Sequence, residues 1–406
     1  MSQYVVLDPV ITAFRAISPQ RGQIAVLGWF MGLTLLKLLL AASTGGTADI
    51  LHMRLAAEAL LAGQDIFDPA NMAGAPSFFP LGHYLLATGS LLLATITGLP
   101  FSFLVKVPAI LADLLIAVVL QRIPRAGIRA AIWYLASPVT ILLSAYHGQF
   151  HTVALAGAVL ALWLAEQGKW ASSGLVLGLG ASVRQHFAVL LAPVLSRARS
   201  ARRELLISFA LTFVSLNAWL LWSAHPDRVL SPTWTYGSWG YSMFLLQGPR
   251  ILHLLGLGNL GVLIGDLNRF LEHGTVVCWV WAAYFAVWAW RRGPALDLWK
   301  AATIFSLGLY TVTPGFGIQW LLWALPFWLV VNVRRAVVYG LLVSGFVMGS
   351  YWQWQLNAKY GIRAITAHMD LLSIADFTGL IAVGVLGVVT WAYCAGSTWQ
   401  LMRRRS

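Results

Sequence analysis

Apolar runs, each bounded by charge, glycine or proline, follow one another along the chain. They lie at 24–42, 104–121, 130–146, 150–165, 173–196, 205–223, 274–290, 298–312, 318–333, 336–350 and 377–396. Runs of this length and polarity predict membrane-spanning helices. With loops subtracted, the chain has room for about 11–13 spans of ~20 residues each, so the expected fold class is an all-α polytopic membrane protein. No polar linker separates the runs, and residues 1–406 read as a single integral membrane domain. Neither a solenoid period nor an inverted pair of halves is visible, which weakens a secondary-transporter reading.

Arginines punctuate the runs at 122/125/129, 197/199/202/203, 291/292, 334/335 and 403–405. Such clusters belong on the cytoplasmic side, and that rule forces two choices. The run from Leu81 to Gly98 becomes an interfacial or re-entrant helix that closes a long first external loop, about 43–103. The run at 173–196 becomes two short helices meeting near Arg184, a break that is tolerated where it lines a wet cavity. The other external loops fall at about 224–273 and 351–376. Nine of the 14 acids, Asp49, Glu58, Asp65, Asp68, Asp227, Asp266, Glu272, Asp370 and Asp376, then lie outside, and the working face is external. Arg15 and Arg21 before the first run imitate a signal peptide, but the many later spans favour an uncleaved anchor.

Composition agrees with this picture: 59% hydrophobic residues, 10% charged and 20 tryptophans, with a mean hydropathy of +0.74. The net charge of +13 reads as the topology signal, with membrane lipids and no nucleic acid as partners. Cys278 and Cys394 both lie inside apolar runs, so neither a disulfide framework nor a zinc spacing is available.

Several polar groups remain to be explained on the outer side. Asp49 begins a helical stretch at the rim of the first span, either as a helix cap or as a working carboxylate, with His52 one turn on. "PSFFPLGHYLL" presents His83 and Tyr84 at the headgroup boundary, where aromatic rings are ordinary. In "SAYHGQFHTV", His147 and His151 are four apart, a spacing that metal ligands use on a helix. Gly148 interrupts it and no HExxH glutamate is present, so a divalent metal is possible but not favoured. His147, Gln149 and His151 then serve as neutral partners for a sugar or phosphate. Arg184, followed by Gln185 in "SVRQH", is a charge in an apolar segment and needs a partner: either a bound phosphate, or Asp113 or a loop acid. "TPGFGIQWLLWALPF" places Gln319 and Trp320 on the first turn of a span.

Together these stretches resemble the GT-C superfamily of membrane glycosyltransferases, whose donors are sugars on polyprenyl phosphates, and most closely its bacterial mannosyltransferase-like members. "AD", "AAEALLAGQDIF" and "FFPLGHYLL" resemble the family's first loop, with Asp49 at the catalytic acid, and "KVPAILADLL" resembles the span that follows. "SPVTILLSAYHGQFH" resembles "SPxxxxxSAxWGQxD", with His147 and His151 replacing Trp and Asp. "GLGASVRQHFAVLLAP", "YGSWGY" and "IQWLLWALPF" resemble further family segments, with Arg184 standing for a lysine. The resemblance implies a GT-C-like bundle with interfacial helices in its first external loop. It also implies an inverting transfer, with mannose favoured, from a polyprenyl-phosphate donor to a hydroxyl of a glycan, glycolipid or lipid-linked acceptor, with no obligatory bound cofactor. The implied location is the bacterial inner membrane, with the site on the periplasmic face.

In that chemistry Asp49 is the expected base for the acceptor hydroxyl. Arg184, with Lys106 and Arg363 behind it, is expected to meet the donor phosphate. The rival readings are a transporter or flippase of a lipid-linked sugar, and a noncatalytic partner of another transferase.

Overall fold

The computed structural model describes residues 19–72, 79–222, 274–361 and 373–403, and among them every regular element is helical. The main helices are α1 (Pro19–Ser43), α2 (Ala48–Leu61), α3 (Leu81–Thr97), α4 (Val107–Arg122), α5 (Gly127–Ala136), α6 (His151–Glu166) and α7 (Trp170–Ala181). They continue with α8 (Leu191–Ala198), α9 (Arg202–Trp222), α10 (Gly274–Arg292), α11 (Leu298–Val312), α12 (Ala324–Val331), α13 (Val333–Lys359) and α14 (Ile374–Arg403). Among the described residues, four segments are long and apolar enough to cross a membrane: Ile24–Ser43, Phe101–Arg122, Val333–Leu356 and Ile374–Arg403. A fifth is formed if the bent pair Gly127–Ala136 and Pro138–His147 counts as one span.

Local chemistry explains several boundaries. Asp297 caps α11, accepting from Trp299 N at 2.9 Å and Lys300 N at 3.1 Å, and Asn332 accepts from Arg335 N at 3.0 Å to start α13. The run at 130–146, read from sequence as one span, bends by 53°. Pro138 is the cause, because a residue preceding proline is disfavoured in the helical region and Ser137 is extended at φ −61°, ψ 128°. The run at 318–333 is likewise divided, into a six-residue 3-10 turn and the short α12. The expected outer loop at 351–376 is shortened from both sides, since α13 continues to Lys359 and α14 begins at Ile374. The expected break near Arg184 is present: α7 ends at Ala181, Arg184 is extended at φ −145°, ψ 105°, and a 3-10 turn leads into α8.

Glycine allows the central helices to approach closely, as in lipid-embedded bundles. A Cβ on Gly157 of α6 would stand 2.9 Å from Gly180 Cα of α7. The interior is aromatic, with Trp299, Trp323, Trp328, Tyr310 and Tyr339 fully buried. The outside is apolar too: Leu27, Met31, Leu35 and Leu39 of α1 and Val385, Val388 and Val389 of α14 are exposed. Contiguous exposed apolar faces of this kind suit lipid rather than water.

The helices separate two ends. At the basic end Arg125 binds Glu166 at 3.0 Å and also Asp297, Arg335 donates to Gln400 at 2.6 Å, and Arg202 lies over the Trp290 ring at 4.5 Å. α6 has 16 residues, about 24 Å of helix, and its other terminus is His151, within the polar cluster described below. α3 begins at the polar end. A Cβ on Gly82 at its start would be 2.6 Å from Ser182 O, and Lys106 stands at the polar end as well.

Candidate functional site

Four segments far apart in sequence converge at the end of the bundle opposite the arginines. Asp49 is the second residue of α2. Thr47 precedes that helix in extended conformation, and the Asp49 carboxylate turns away from its own helix. Its Oδ2 lies 3.0 Å from His147 Nε2 and accepts from Gln149 Nε2 at 2.5 Å. The carboxylate therefore acts across segments rather than as a cap. Its side chain is 45% exposed while that of His147 is 1% exposed, so among the described residues one face of the acid is left uncovered.

The turn carrying His147 and Gln149 has an unusual build. Residues Leu142–His147 form a π-helical turn, a form that is frequent at functional sites, and Gly148 follows in the left-handed region at φ 76°. His147 and His151 are consequently not on one helix, which removes the geometric basis for reading them as a helical metal pair. Among the described residues no three His, Cys, Asp or Glu side chains converge as a metal shell.

Gln149 links the Asp49 carboxylate to the Arg184 guanidinium. Its Oε1 accepts from Arg184 Nη2 at 3.2 Å and from Gln319 Nε2 at 3.2 Å. Arg184 also donates from Nε to His151 Nδ1 at 3.3 Å, and its guanidinium packs on the Phe79 ring at 3.6 Å. Asp113, one of the acids considered from sequence as the partner of Arg184, is instead bound to Lys37 at 2.6 Å. Burial alone would raise the Asp49 pKa. The His147 hydrogen bond and charge, the Gln149 amide and the Arg184 charge together outweigh burial and hold it below the usual carboxylate value. Burial lowers the pKa of His52, one turn along α2, with Asp49 opposing part of the effect.

His83 is 1% exposed, enclosed by the rings of Phe79, Phe150 and Tyr84 at 4.6, 5.1 and 5.0 Å. Neither of its ring nitrogens, nor His151 Nε2, has a hydrogen-bond partner among the described residues. Tyr84 belongs to the wall, its hydroxyl accepting from Phe79 N at 3.3 Å. Gln185 opens the 3-10 turn after Arg184. Trp320 stacks on Trp323 at 5.0 Å, and His186 packs on both rings.

Lys106 is close but differently employed. Its ammonium donates to Thr44 O at 2.7 Å, Thr44 Oγ1 at 2.8 Å and Ala41 O at 3.2 Å, tying off the last turn of α1. Arg363 lies outside the described residues, as does "YGSWGY". The structure thus brings together Asp49, His147, Gln149, His151, Arg184 and Gln319 by direct contact, with His52, His83, Tyr84 and Trp320 around them.

Comparison of the chain with models of known protein families, with curated proteins and with solved structures finds no match. The site therefore has to be read from its own chemistry.

Sequence reasoning overlooked Tyr351. It lies near the end of α13, with its ring 5.8 Å from that of His147 and 5.4 Å from that of Tyr146. A tyrosine near the end of an apolar run looks like an interfacial belt residue, and no sequence signal distinguishes this one.

Proposed function

We propose that this chain is an inverting glycosyltransferase of GT-C-like architecture, one integral domain of about 11–13 spans. In this reading it transfers a sugar, with mannose favoured, from a polyprenyl-phosphate donor to an acceptor hydroxyl at the external face of a bacterial inner membrane. The observation that carries the reading is the Asp49 carboxylate: half-exposed, ionised, and held by His147 and Gln149 with the Arg184 charge behind it. This supplies a proton acceptor on the open side and a cation on the enclosed side, as displacement of a phosphate-linked sugar requires.

In the reaction the acceptor hydroxyl oxygen forms a bond to the anomeric carbon while the bond from that carbon to the phosphate oxygen breaks. The bonding pair leaves with the phosphate, and the hydroxyl proton passes to Asp49. Arg184 counters the charge gathering on the phosphate through its field. The Lys106 ammonium already has three acceptors, so it contributes positive potential at the rim rather than a vacant contact. His52, His83, Tyr84, His147, Gln149, His151, Gln185, Gln319 and Trp320 form the polar and aromatic wall for the sugar. No metal is required by this scheme.

The alternative is a transporter or flippase of a lipid-linked sugar. It fits less well with the polar cluster at one end and the packed Trp299 and Trp328 of the interior. The test is transfer by purified protein from a panel of radiolabelled polyprenyl-phosphate sugars, with the Asp49→Asn variant beside it. Loss of at least ~100-fold in turnover is expected from removal of a general base, with thermal stability and donor binding retained. Wild-type turnover in Asp49→Asn rules out the assignment.

A further inference from the structure

We propose that Tyr351 is a ligand-contacting residue of the Asp49 site, its hydroxyl donating a hydrogen bond to an oxygen of the bound substrate. The proposal rests on the glycosyl-transfer reading and adds to it a residue from α13, some 300 positions along the chain from Asp49.

Three observations support it. The first is location: the Tyr351 ring meets the His147 ring, whose Nε2 is itself 3.0 Å from the Asp49 carboxylate. The second is burial without satisfaction. The residue is 7% exposed, and among the described residues its hydroxyl has no hydrogen-bond partner. A hydroxyl out of water and unpaired is costly, and such groups persist where a ligand completes them. The third is that the ring is fixed from two further sides, edge-on to Tyr146 at 5.4 Å and to Trp354 at 5.2 Å. A hydroxyl on a ring held in this way is pre-oriented, and a polar site that loses one partner to its substrate discriminates strongly.

The chemistry asked of the ligand is an oxygen that accepts a hydrogen bond. The donor offers such oxygens on its sugar and phosphate, and the acceptor offers them beside its attacking hydroxyl. Asp49 only accepts hydrogen bonds, so a donor carried by the ring against His147 complements it and extends the site toward α13.

Tyr351→Phe removes the oxygen and leaves the ring contacts in place. Wild type, Tyr351→Phe and Asp49→Asn are compared in lipid nanodiscs for melting temperature, for binding of a polyprenyl-phosphate sugar by titration, and for transfer as a function of acceptor concentration. The expected result is an unchanged or slightly raised melting temperature in Tyr351→Phe, since no structural bond is lost. With it should come a loss of about tenfold in kcat/KM, the scale of one hydrogen bond to substrate. A matching loss in the titration assigns the contact to the donor, and unchanged titration with a raised acceptor KM or lowered kcat assigns it to the acceptor. Wild-type kinetics in Tyr351→Phe overturn the proposal while leaving Asp49 in place, and so does a lowered melting temperature with unaltered kinetics. A wild-type protein inactive with every donor removes the glycosyl-transfer reading and this proposal with it.

Discussion

Gln149 determines how the charges of the cluster are connected. A carboxylate only accepts hydrogen bonds and a guanidinium only donates them, so a side chain between Asp49 and Arg184 must donate on one side and accept on the other. An amide does both, with Nε2 toward Asp49 and Oε1 toward Arg184 and Gln319. The depressed Asp49 pKa has a sign to be read. Its favourable interactions are present at and above the ordinary carboxylate pKa, and are lost only as pH falls through the lower folded value. Transfer should therefore show no Asp49 titration between pH 7 and about 5. Gln149→Leu removes one donor and uncouples Arg184, so the acid limb of kcat/KM should move upward toward the ordinary carboxylate value. A limb that stays in place in that variant would show that the amide does not set the charge state of Asp49. Asp49, Gln149, Arg184 and Gln319 stood out in the sequence because each is polar at the rim of, or inside, an apolar run. Their mutual contacts were not legible, since nothing in a linear order says that 49, 149, 184 and 319 share a point. Tyr351 was invisible for a different reason: its residue type is common at membrane boundaries.

The elements that deliver these residues are interrupted ones. The π-helical turn at Leu142–His147 and the left-handed Gly148 direct His147 and Gln149 to the same carboxylate, which a continuous helix would not do. Gly148 is doubly constrained. A Cβ there would adopt φ 76° and meet Lys106 Cγ at 2.7 Å and Ile50 Cδ1 at 3.1 Å. Gly168, at φ 72° beyond the far end of α6, has nothing within 4 Å of its Cβ position. Gly168→Ala should therefore cost only the left-handed strain, about 1–2 kcal/mol, and leave transfer intact. Gly148→Ala should cost more and also displace His147 and Gln149 from Asp49, lowering turnover even at temperatures where the protein is folded. Equal melting temperatures and equal turnover in the two variants would refute this use of Gly148. The break at Arg184 could be anticipated because the arginine rule demanded a return of the chain there. The bend at Ser137 could not be placed by that rule, although Pro138 carried its cause in plain sight. The end of α13 was set too short, because the tryptophans and glutamines at 352–355 lower the apolar signal while remaining helical.

At the scale of the whole molecule, the arginine pattern read from sequence matches an actual separation of ends, with Arg125, Arg202, Arg292 and Arg335 gathered opposite Asp49. Between those ends, among the described residues, a charged pair is sealed in the bundle. Lys37 of α1 donates to Asp113 Oδ2 at 2.6 Å and to Thr140 Oγ1 at 3.2 Å, and Tyr134 donates to Asp113 Oδ1 at 2.8 Å. The network joins α1, α4 and α5 to the segment that runs on to His147, and all four side chains are buried. A buried pair is weak evidence for stability, but breaking one leaves an uncompensated charge, at about 3–5 kcal/mol. Asp113→Leu alone should therefore lower the melting temperature sharply, through the lone Lys37 ammonium and the Tyr134 hydroxyl it strands. Replacing all three together, Lys37→Met, Asp113→Leu and Tyr134→Phe, removes every stranded group and should recover most of the loss. Transfer then discriminates what the pair is for. If it fixes the register of the bent segment, the triple variant will be stable yet reduced in turnover, because His147 and Gln149 are no longer held against Asp49. If packing alone sets the register, the triple variant will be both stable and active. A triple variant as unstable as Asp113→Leu would show that the charges themselves hold α1, α4 and α5 together.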